Sequence, residues 1–251
     1  YELSATRGIS TITYADGTRL AVSDAGIVAR NGEAIRFVLD AGGRIAQAIG
    51  PDGGVFAYSY DDRGDLVAVR NLQAATSQRY AYDADHRLTL STGPGGGALV
   101  DYSGVAPASV ALSGDLGASL AYLATPLTGT LGIGEVDRYA FSVRPSEIAG
   151  PAGGAMLLAV VVEATSGTLV PALPALAGLA PIASGVDGAR AFALYRIDAP
   201  GLKLLQVQGA NAGGYRVSFF VAGDANRDAR VDGLDAALAM VAWDDRVRVL
   251  F

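Results

Sequence analysis

Near the end of the chain, residues with oxygen-bearing side chains recur at the positions that a cation-binding loop requires. The segment D-A-N-R-D-A-R-V-D-G-L-D places them at positions one, three, five, nine and twelve, which are Asp224, Asn226, Asp228, Asp232 and Asp235. Arg230 stands at position seven, where the backbone carbonyl is the ligand. Calcium takes roughly six to eight oxygen ligands, and this spacing wraps one loop around the ion. We therefore predict a Ca²⁺ site here, in preference to an acidic turn without an ion.

A short helix is predicted to begin where this loop ends. Leu234, Leu238 and Val241 recur at helical spacing and give the helix an apolar stripe. Residues 223–243 resemble the repeat of type I dockerins, which also carry Asp at position twelve, as Asp235 does here. The resemblance implies a C-terminal calcium-binding module that consists of a loop and a helix.

This segment also departs from the dockerin pattern. Position six, usually Gly because the turn favours positive φ, is Ala229. Dockerins carry two such repeats, whereas one is present here. The positions with which dockerins recognise cohesin are usually polar, and here they are Gly233 and Leu234. A cohesin partner is therefore not favoured.

The elements that precede this loop begin with an internal repeat in the first hundred residues. Segments 37–45, 58–66 and 80–88 align with offsets of 21 and 22 residues. In each segment apolar or aromatic residues alternate up to an Asp, and a turn and an aliphatic residue follow. A period of this length with alternating residues indicates stacked β-hairpins.

The turn of each repeat carries an aspartate. Asp40, Asp61 and Asp83 are predicted to accept hydrogen bonds from the backbone of their own turn, while Gly43 and Gly64 supply the conformational freedom. These units resemble the YD repeats of the RHS family, whose pattern reads Y-x-Y-D-x-x-G-R-L. In that family many repeats wind into a large β-shell, so the resemblance implies a structural role within a larger protein.

Four tyrosines of the repeats could bind a ligand. Tyr58, Tyr60, Tyr80 and Tyr82 would lie on neighbouring hairpins. They could form a stacking platform for a carbohydrate, or they could pack one hairpin against the next. We favour packing, and we keep these four residues as a candidate carbohydrate-binding set.

The sequence gives little support for a catalytic site. His86 is the only histidine, and it stands where the repeat pattern has Gly, so we predict an exposed turn residue. No nucleophile motif accompanies it, and without cysteine a zinc site is not favoured. The carboxylates of Asp61, Asp62, Asp83 and Asp85 could pair for glycoside hydrolysis. Their turn positions explain them without catalysis, so we predict no catalytic residue.

The middle of the chain reads as short strands. The Pro/Gly-rich segment 92–97 is predicted to start a linker. Beyond it, in 136–144, Tyr139 and Phe141 alternate with polar residues and should share the core side of one strand. Residues 156–162 are apolar throughout and predict a central strand. Further strands are predicted at 191–197, 202–207 and 215–221. This rhythm is typical of an antiparallel β-sandwich.

Two stretches of this sandwich region resemble a known domain. They are G-T-L-G-I-G-E-V-D-R-Y-A-F-S-V and G-G-Y-R-V-S-F-F-V, with Asp137, Tyr139 and Phe141 forming a D-x-Y-x-F core. Both are similar to the bacterial pre-peptidase C-terminal domain, a β-sandwich appended to secreted proteins. The resemblance implies a non-catalytic role in folding, secretion or binding to surfaces.

Composition restricts the function classes. The net charge of −6 argues against nucleic acid, because no basic stripe is present to neutralise phosphates. The longest apolar run, 155–162, is far shorter than a membrane span. A loop of this kind fills with calcium most readily outside the cell, so an extracellular or cell-surface location is predicted. The chain begins at Tyr1 rather than Met, which predicts a processed or fragmentary chain.

Taken in order, the sequence predicts a mainly β protein in four parts. They are a YD-repeat β-hairpin array at 1–92, a linker at 93–114, a β-sandwich at 115–222 and a calcium loop with a short helix at 223–251. The predicted function is a non-catalytic structural or surface-interaction part of a larger secreted bacterial protein or assembly. The alternatives are a carbohydrate-binding module and an accessory region of a secreted hydrolase.

Overall fold

The structure is a computed structural model, and it describes residues 2–4, 8–100, 108–117, 125–149, 154–225, 234 and 237. The chain divides into two compact units, Tyr1–Pro107 and Ala108–Phe251. Both are built mainly from β-strands, which confirms the predicted fold class. No helix in the described ranges is long and apolar enough to cross a membrane.

In the first unit, each strand pairs antiparallel with its neighbours in sequence, so sheet order follows chain order. The strands are β1 (Glu2–Ser4), β2 (Gly8–Thr13), β3 (Arg19–Ser23), β4 (Gly26–Ala29), β5 (Ala34–Leu39), β6 (Ile45–Ile49), β7 (Val55–Tyr60), β8 (Leu66–Asn71), β9 (Thr76–Tyr82), β10 (Leu88–Gly93) and β11 (Gly96–Leu99). Each aligned repeat segment spans the turn of one hairpin, namely β5–β6, β7–β8 or β9–β10. The repeat is therefore one hairpin, as its period predicted.

The repeat turns are held by their aspartates. The carboxylate of Asp40 accepts the backbone N–H groups of Gly42 and Arg44 at 2.8 and 2.9 Å. Asp61 and Asp83 accept two backbone N–H groups each in the same way. Gly43 and Gly64 have φ values of 78° and 89°, which a side chain would disfavour. The predicted turn chemistry is confirmed.

The segment at the predicted start of the linker forms a hairpin. Strands β10 and β11 pair with each other, and Gly93 lies opposite Gly96 at the turn. Gly96 has a φ of 112°, which allows the chain to reverse there. The Pro/Gly composition that predicted a connector thus serves a tight turn within the sheet.

In the second unit, short strands form two sheets. The strand β12 (Ala108–Val110) belongs to neither of them. The strands of the two sheets are β13 (Gly114–Asp115), β14 (Leu127–Leu131), β15 (Val136–Val143), β16 (Met156–Ala164), β17 (Ala175–Leu176), β18 (Ala183–Asp187), β19 (Arg190–Ile197), β20 (Gly201–Gln208) and β21 (Gly213–Val221). A helix, α1 (Pro145–Ala149), follows β15. One sheet has the order β13-β15-β20-β17 and the other β14-β21-β16-β19-β18. The short pair β13–β15 is parallel, and the other pairs in these sheets are antiparallel.

The two sheets share one apolar core. It includes Phe141 and Leu205 from the first sheet with Leu158, Tyr195 and Val217 from the second. The apolar segment 156–162 lies in β16, which pairs with β21 on one side and β19 on the other. Tyr139 and Phe141 lie on β15 and are both buried in this core. The predicted sandwich and the predicted core side of β15 are therefore confirmed.

Candidate functional site

The predicted calcium loop lies almost entirely outside the described residues. Asn226, Asp228, Arg230, Asp232 and Asp235 fall there, and Asp224 is the one predicted ligand within the described range. The backbone N–H of Asp224 donates to the carbonyl of Val221 at 3.1 Å, in the turn that ends β21. Leu234, on the predicted apolar stripe, is helical and 64% exposed. The calcium site itself stays a prediction.

The four candidate tyrosines lie on one side of the first sheet. Tyr58 is paired with Val69, and Val69 with Gln78, so these three side chains project to the same side. Tyr60 follows Tyr58 by two residues on β7. Tyr80 and Tyr82 follow Gln78 by two and four residues on β9. We call this side of the sheet the tyrosine face.

The tyrosines are half-buried and engaged in contacts within the sheet. The hydroxyl of Tyr60 donates to the carbonyl of Ile45 at 3.0 Å, and the guanidinium of Arg44 lies 4.6 Å from the centre of its ring. The hydroxyl of Tyr80 donates to Gln78 at 3.1 Å. Burial, with the nearby charge of Asp65, raises the pKa of Tyr82. These contacts fit hairpin packing, while the shared face keeps the carbohydrate alternative open.

Large apolar side chains continue the tyrosine face across earlier strands. Phe37 pairs with Ala48, and Ala48 with Phe56, which lies two residues before Tyr58. Phe56 is 43% exposed, and Ile35 and Leu39 on the same side of β5 are 40% and 39% exposed. In the described part of the first unit, Leu90 is the one large apolar side chain that is buried. This sheet therefore leaves part of its apolar surface exposed.

The repeat turns interact with one another along one edge of the sheet. Arg63, in the β7–β8 turn, donates to the carbonyls of Asp83 and Ala84 in the β9–β10 turn at 3.0 and 2.9 Å. A Cβ at Gly64 would lie 3.8 Å from the guanidinium of Arg44, which belongs to the preceding turn. These contacts between turns were not predicted, since sequence spacing alone does not show which arginines reach the next hairpin.

The turn carboxylates are occupied by structural contacts. The backbone N–H of Arg44, together with the Arg44 side chain, holds the pKa of Asp40 below its usual value. The backbone N–H of Arg87 does the same for the pKa of Asp83. The guanidinium of Arg87 also lies 3.0 Å from Asp85. A general acid needs a raised pKa, so the environment of Asp40 and Asp83 suits fixed hydrogen-bond acceptors rather than proton donors.

His86 is an exposed turn residue, as predicted. Its φ of 61° lies in the left-handed region, where the two preceding repeats have Gly. Its Nδ1 lies 2.8 Å from Oδ1 of Asp65 in the preceding turn. The sequence signal for this pair was a double departure from the repeat pattern, His in place of Gly and Asp in place of Arg.

A hydrogen-bond network that the sequence did not predict lies in the sandwich. The hydroxyl of Tyr215 donates to Oδ2 of Asp137 and lies 2.6 Å from the hydroxyl of Tyr139. The hydroxyl of Ser113 donates to Oδ1 of the same aspartate at 2.5 Å. A Cβ at Gly129 would lie 2.4 Å from the Tyr215 hydroxyl, so this position has no room for a side chain. The network joins strands of both sheets and has the character of a structural element.

Comparison with known families includes a match to a repeat family. The model of the RHS Repeat family matches residues 60–98, which contain the last hairpins of the first sheet. The matched span includes Tyr60, Tyr80, Tyr82 and the turn of His86. This part of the chain is thus similar to RHS repeats, in agreement with the YD pattern. A search of curated proteins found no match.

Comparison with solved structures includes a crystal structure of the pre-peptidase C-terminal domain of a collagenase from Bacillus anthracis. The two chains are 18% identical, and the alignment covers 45% of this chain and 100% of the other. The TM-score is 0.30.

Proposed function

We propose that this chain is a non-catalytic structural or surface-interaction part of a larger secreted bacterial protein or assembly. The RHS repeat match at residues 60–98 supports this, because such repeats work as arrays within larger proteins. The sandwich buries an apolar core of its own, which is the usual property of a domain.

The observation that carries the proposal is the uncovered tyrosine face. Phe56, Ile35 and Leu39 expose about two-fifths of their surface on one side of a sheet whose described apolar residues are mostly half-buried. A soluble protein rarely leaves a contiguous apolar surface open unless a partner or a neighbouring segment covers it. Repeat units of this kind bury their apolar faces by stacking on further units. Val28 and Val38 on the opposite side of the sheet are as exposed as these residues, so exposure alone does not distinguish the two sides. We assign the tyrosine face to assembly because it also carries the aromatic side chains of Phe56 and the four tyrosines.

Hydroxyl-radical footprinting tests this assignment. The isolated 251-residue chain is compared with the full product of its open reading frame. We expect labelling of Phe56 and Leu39 to fall in the full protein. Val28 and Val38 lie on the side of the sheet opposite the tyrosine face. Both are 44% exposed, and they serve as internal controls. Equal labelling of Phe56 and Leu39 in both samples would contradict the proposal.

A carbohydrate-binding role is the second candidate, because the four tyrosines share one face. Tyr58 and Tyr80 would then stack on sugar rings. Titration with soluble bacterial cell-wall polysaccharide, followed by calorimetry, is expected to show binding that Tyr58→Ala and Tyr80→Ala each weaken. Tyr14→Ala is the control, since Tyr14 is 53% exposed and lies in the turn before β3. Absence of binding would exclude this role for the polysaccharide that was tested.

Calcium binding by the C-terminal loop belongs to the same proposal. The ligands are the side chains of Asp224, Asn226, Asp228, Asp232 and Asp235 with the carbonyl of Arg230. The support is the loop spacing in the sequence. Calorimetric titration of chelator-treated protein is expected to show one Ca²⁺ site, with magnesium much weaker because its octahedral shell fits such a loop poorly. If calcium produced no heat of binding at either of two temperatures, the proposed site would be contradicted.

A further inference from the structure

Lys203 is the only lysine in the sequence, since every other one of the 19 lysine and arginine residues is an arginine. The guanidinium of arginine keeps its positive charge at physiological pH, whereas the amine of lysine loses its proton more readily when it is buried. A neutral amine can act as a nucleophile, and a protonated amine cannot. Lys203 is therefore the one side chain of the sequence that can present a nucleophilic primary amine.

The position of Lys203 on β20 directs its side chain toward the core of the sandwich. Lys203 pairs with Phe141 on β15, and paired residues of antiparallel strands project to the same side of a sheet. Phe141 is 0% exposed and belongs to the core between the sheets. Leu205, two residues after Lys203, belongs to the same core. Lys203 itself is half-buried, so its amine lies beside apolar groups and can still be reached from solvent.

The amine of Lys203 is weakly held in this position. It donates to the carbonyl of Pro200 at 3.4 Å, which is long for a hydrogen bond. Burial lowers the pKa of Lys203 to about 8, and the attraction of Asp198, the charged group that acts on the amine, offsets only part of this effect. A lysine that packed only its stem and kept its ammonium in water would retain an ordinary pKa of about 10.4.

These surroundings favour an electrophile without charge. A charged reagent would lose hydration beside Phe141, and the carboxylate of Asp198 would repel an anion. An aldehyde meets these conditions, because it is neutral and needs no activated leaving group. The neutral amine and its neutral product with an aldehyde both avoid the cost of a buried charge.

We propose that Lys203 is a covalent attachment site for small uncharged aldehydes. The lone pair of the neutral amine attacks the carbonyl carbon, and a carbon–nitrogen bond forms. The carbonyl oxygen then leaves as water together with the two amine protons, and an imine remains. No oxidant or reductant takes part in this step, and water reverses it.

Reductive trapping tests the site in the full 251-residue chain. The protein is treated with propionaldehyde and sodium cyanoborohydride at pH 7.5, and peptide mapping separates the Lys203 adduct from that of the N-terminal amine. Arg196→Lys supplies the reference, because residue 196 is exposed on β19 of the same sandwich. At this pH about one-quarter of an amine with a pKa of about 8 is neutral, against about one in a thousand for an ordinary lysine. Since a nucleophile of lower pKa is also intrinsically less reactive, we expect Lys203 to be labelled about ten-fold faster than the introduced lysine.

The pH profile distinguishes a reactive amine from one that is merely accessible. The labelling rate of Lys203 should level off above about pH 8, while that of the introduced lysine should keep rising to about pH 10. Equal or slower labelling of Lys203, or parallel profiles for the two amines, would overturn the proposal.

Two further measurements test the imine and the class of aldehyde. Without cyanoborohydride the adduct should disappear on dialysis, because water hydrolyses an imine, and an adduct that persists would overturn the proposed chemistry. Glyoxylate, an anionic aldehyde, should show a smaller preference for Lys203 over the introduced lysine than propionaldehyde does. An equal or larger preference would overturn the assignment to uncharged aldehydes.

Discussion

The hydroxyl of Tyr139 lies 2.6 Å from the hydroxyl of Tyr215, and the two residues belong to opposite sheets of the sandwich. Both side chains are buried. The Tyr215 hydroxyl also donates to Asp137, so a chain of hydrogen bonds links the two sheets. The sheets are therefore joined by directional bonds as well as by apolar packing.

Removal of the central hydroxyl should destabilise the sandwich. In Tyr215→Phe the ring is retained, but Asp137 and Tyr139 each lose a hydrogen-bond partner. We expect the free energy of unfolding to fall by about 1 to 3 kcal/mol, as for other buried polar groups left unsatisfied. Urea unfolding followed by near-ultraviolet circular dichroism measures this change. Tyr14→Phe, at a site that is 53% exposed, should be neutral, and equal effects of the two variants would refute the role of the network.

The same hydroxyls predict a loss of stability at alkaline pH. Burial, aided by the hydrogen bond to Asp137, raises the pKa of Tyr215, and burial also raises the pKa values of Tyr139 and Tyr195. Their neutral forms thus favour the folded state, and this contribution is fully present below the unfolded tyrosine pKa of about 10. It is lost as the pH rises above that value. The stability advantage of wild type over Tyr215→Phe should therefore shrink between pH 8 and pH 11, and an advantage that grows would contradict the assignment.

Phe141 should be among the most sensitive core positions. Its side chain is 0% exposed and meets Phe219 edge to face, with ring centroids 6.0 Å apart. Phe141→Ala leaves a cavity and should cost about 3 to 5 kcal/mol in unfolding free energy. Phe192→Ala, at a site that is 44% exposed on the same sandwich, is the matched control and should cost much less. Similar unfolding midpoints for both variants would show that Phe141 does not anchor the core.

Much of this fold follows from local patterns in the sequence. The alternation around Tyr139 and Phe141 identified a strand and its buried side because side chains two apart share a face. The repeated Asp40, Asp61 and Asp83 identified the turns because a short carboxylate reaches its own backbone. Both features depend on residues within one turn or one strand, so no knowledge of distant contacts was needed.

Contacts between distant residues were not predictable in the same way. Tyr215 and Asp137 are 78 residues apart, and their meeting depends on how two sheets pack. The segment 92–97 has the Pro/Gly-rich composition of a linker. The strands on either side of it nevertheless pair, so Gly93 and Gly96 lie at a hairpin turn. The pairing of Asp65 with His86 could not be predicted without the hairpin register, although His86 was recognised as a departure from the repeat.

The contacts between turns predict that Arg63 stabilises the repeat array. Its guanidinium donates to two carbonyls of the next turn, so Arg63→Ala should lower the stability of the β7–β10 region by about 1 kcal/mol. Arg63→Lys should recover only part of this loss, because an ammonium lacks the planar fork that reaches both acceptors. Amide exchange of β9 and β10 measures the effect. Arg36→Ala, at an exposed site on β5, is the control, and equal exchange in the two alanine variants would refute the prediction.

The calcium loop makes a prediction that does not depend on the described residues. Position six of such loops favours positive φ, and Ala229 occupies it at a cost of about 1 kcal/mol relative to Gly. Ala229→Gly should therefore tighten calcium binding about five-fold, since roughly 1.4 kcal/mol corresponds to ten-fold in Kd. Ala225→Gly, at position two, adds the same flexibility without relieving that turn and serves as the control. Calorimetric titration of both variants decides the matter: an unchanged or weaker affinity for Ala229→Gly would show that the segment does not fold around calcium as its spacing predicts.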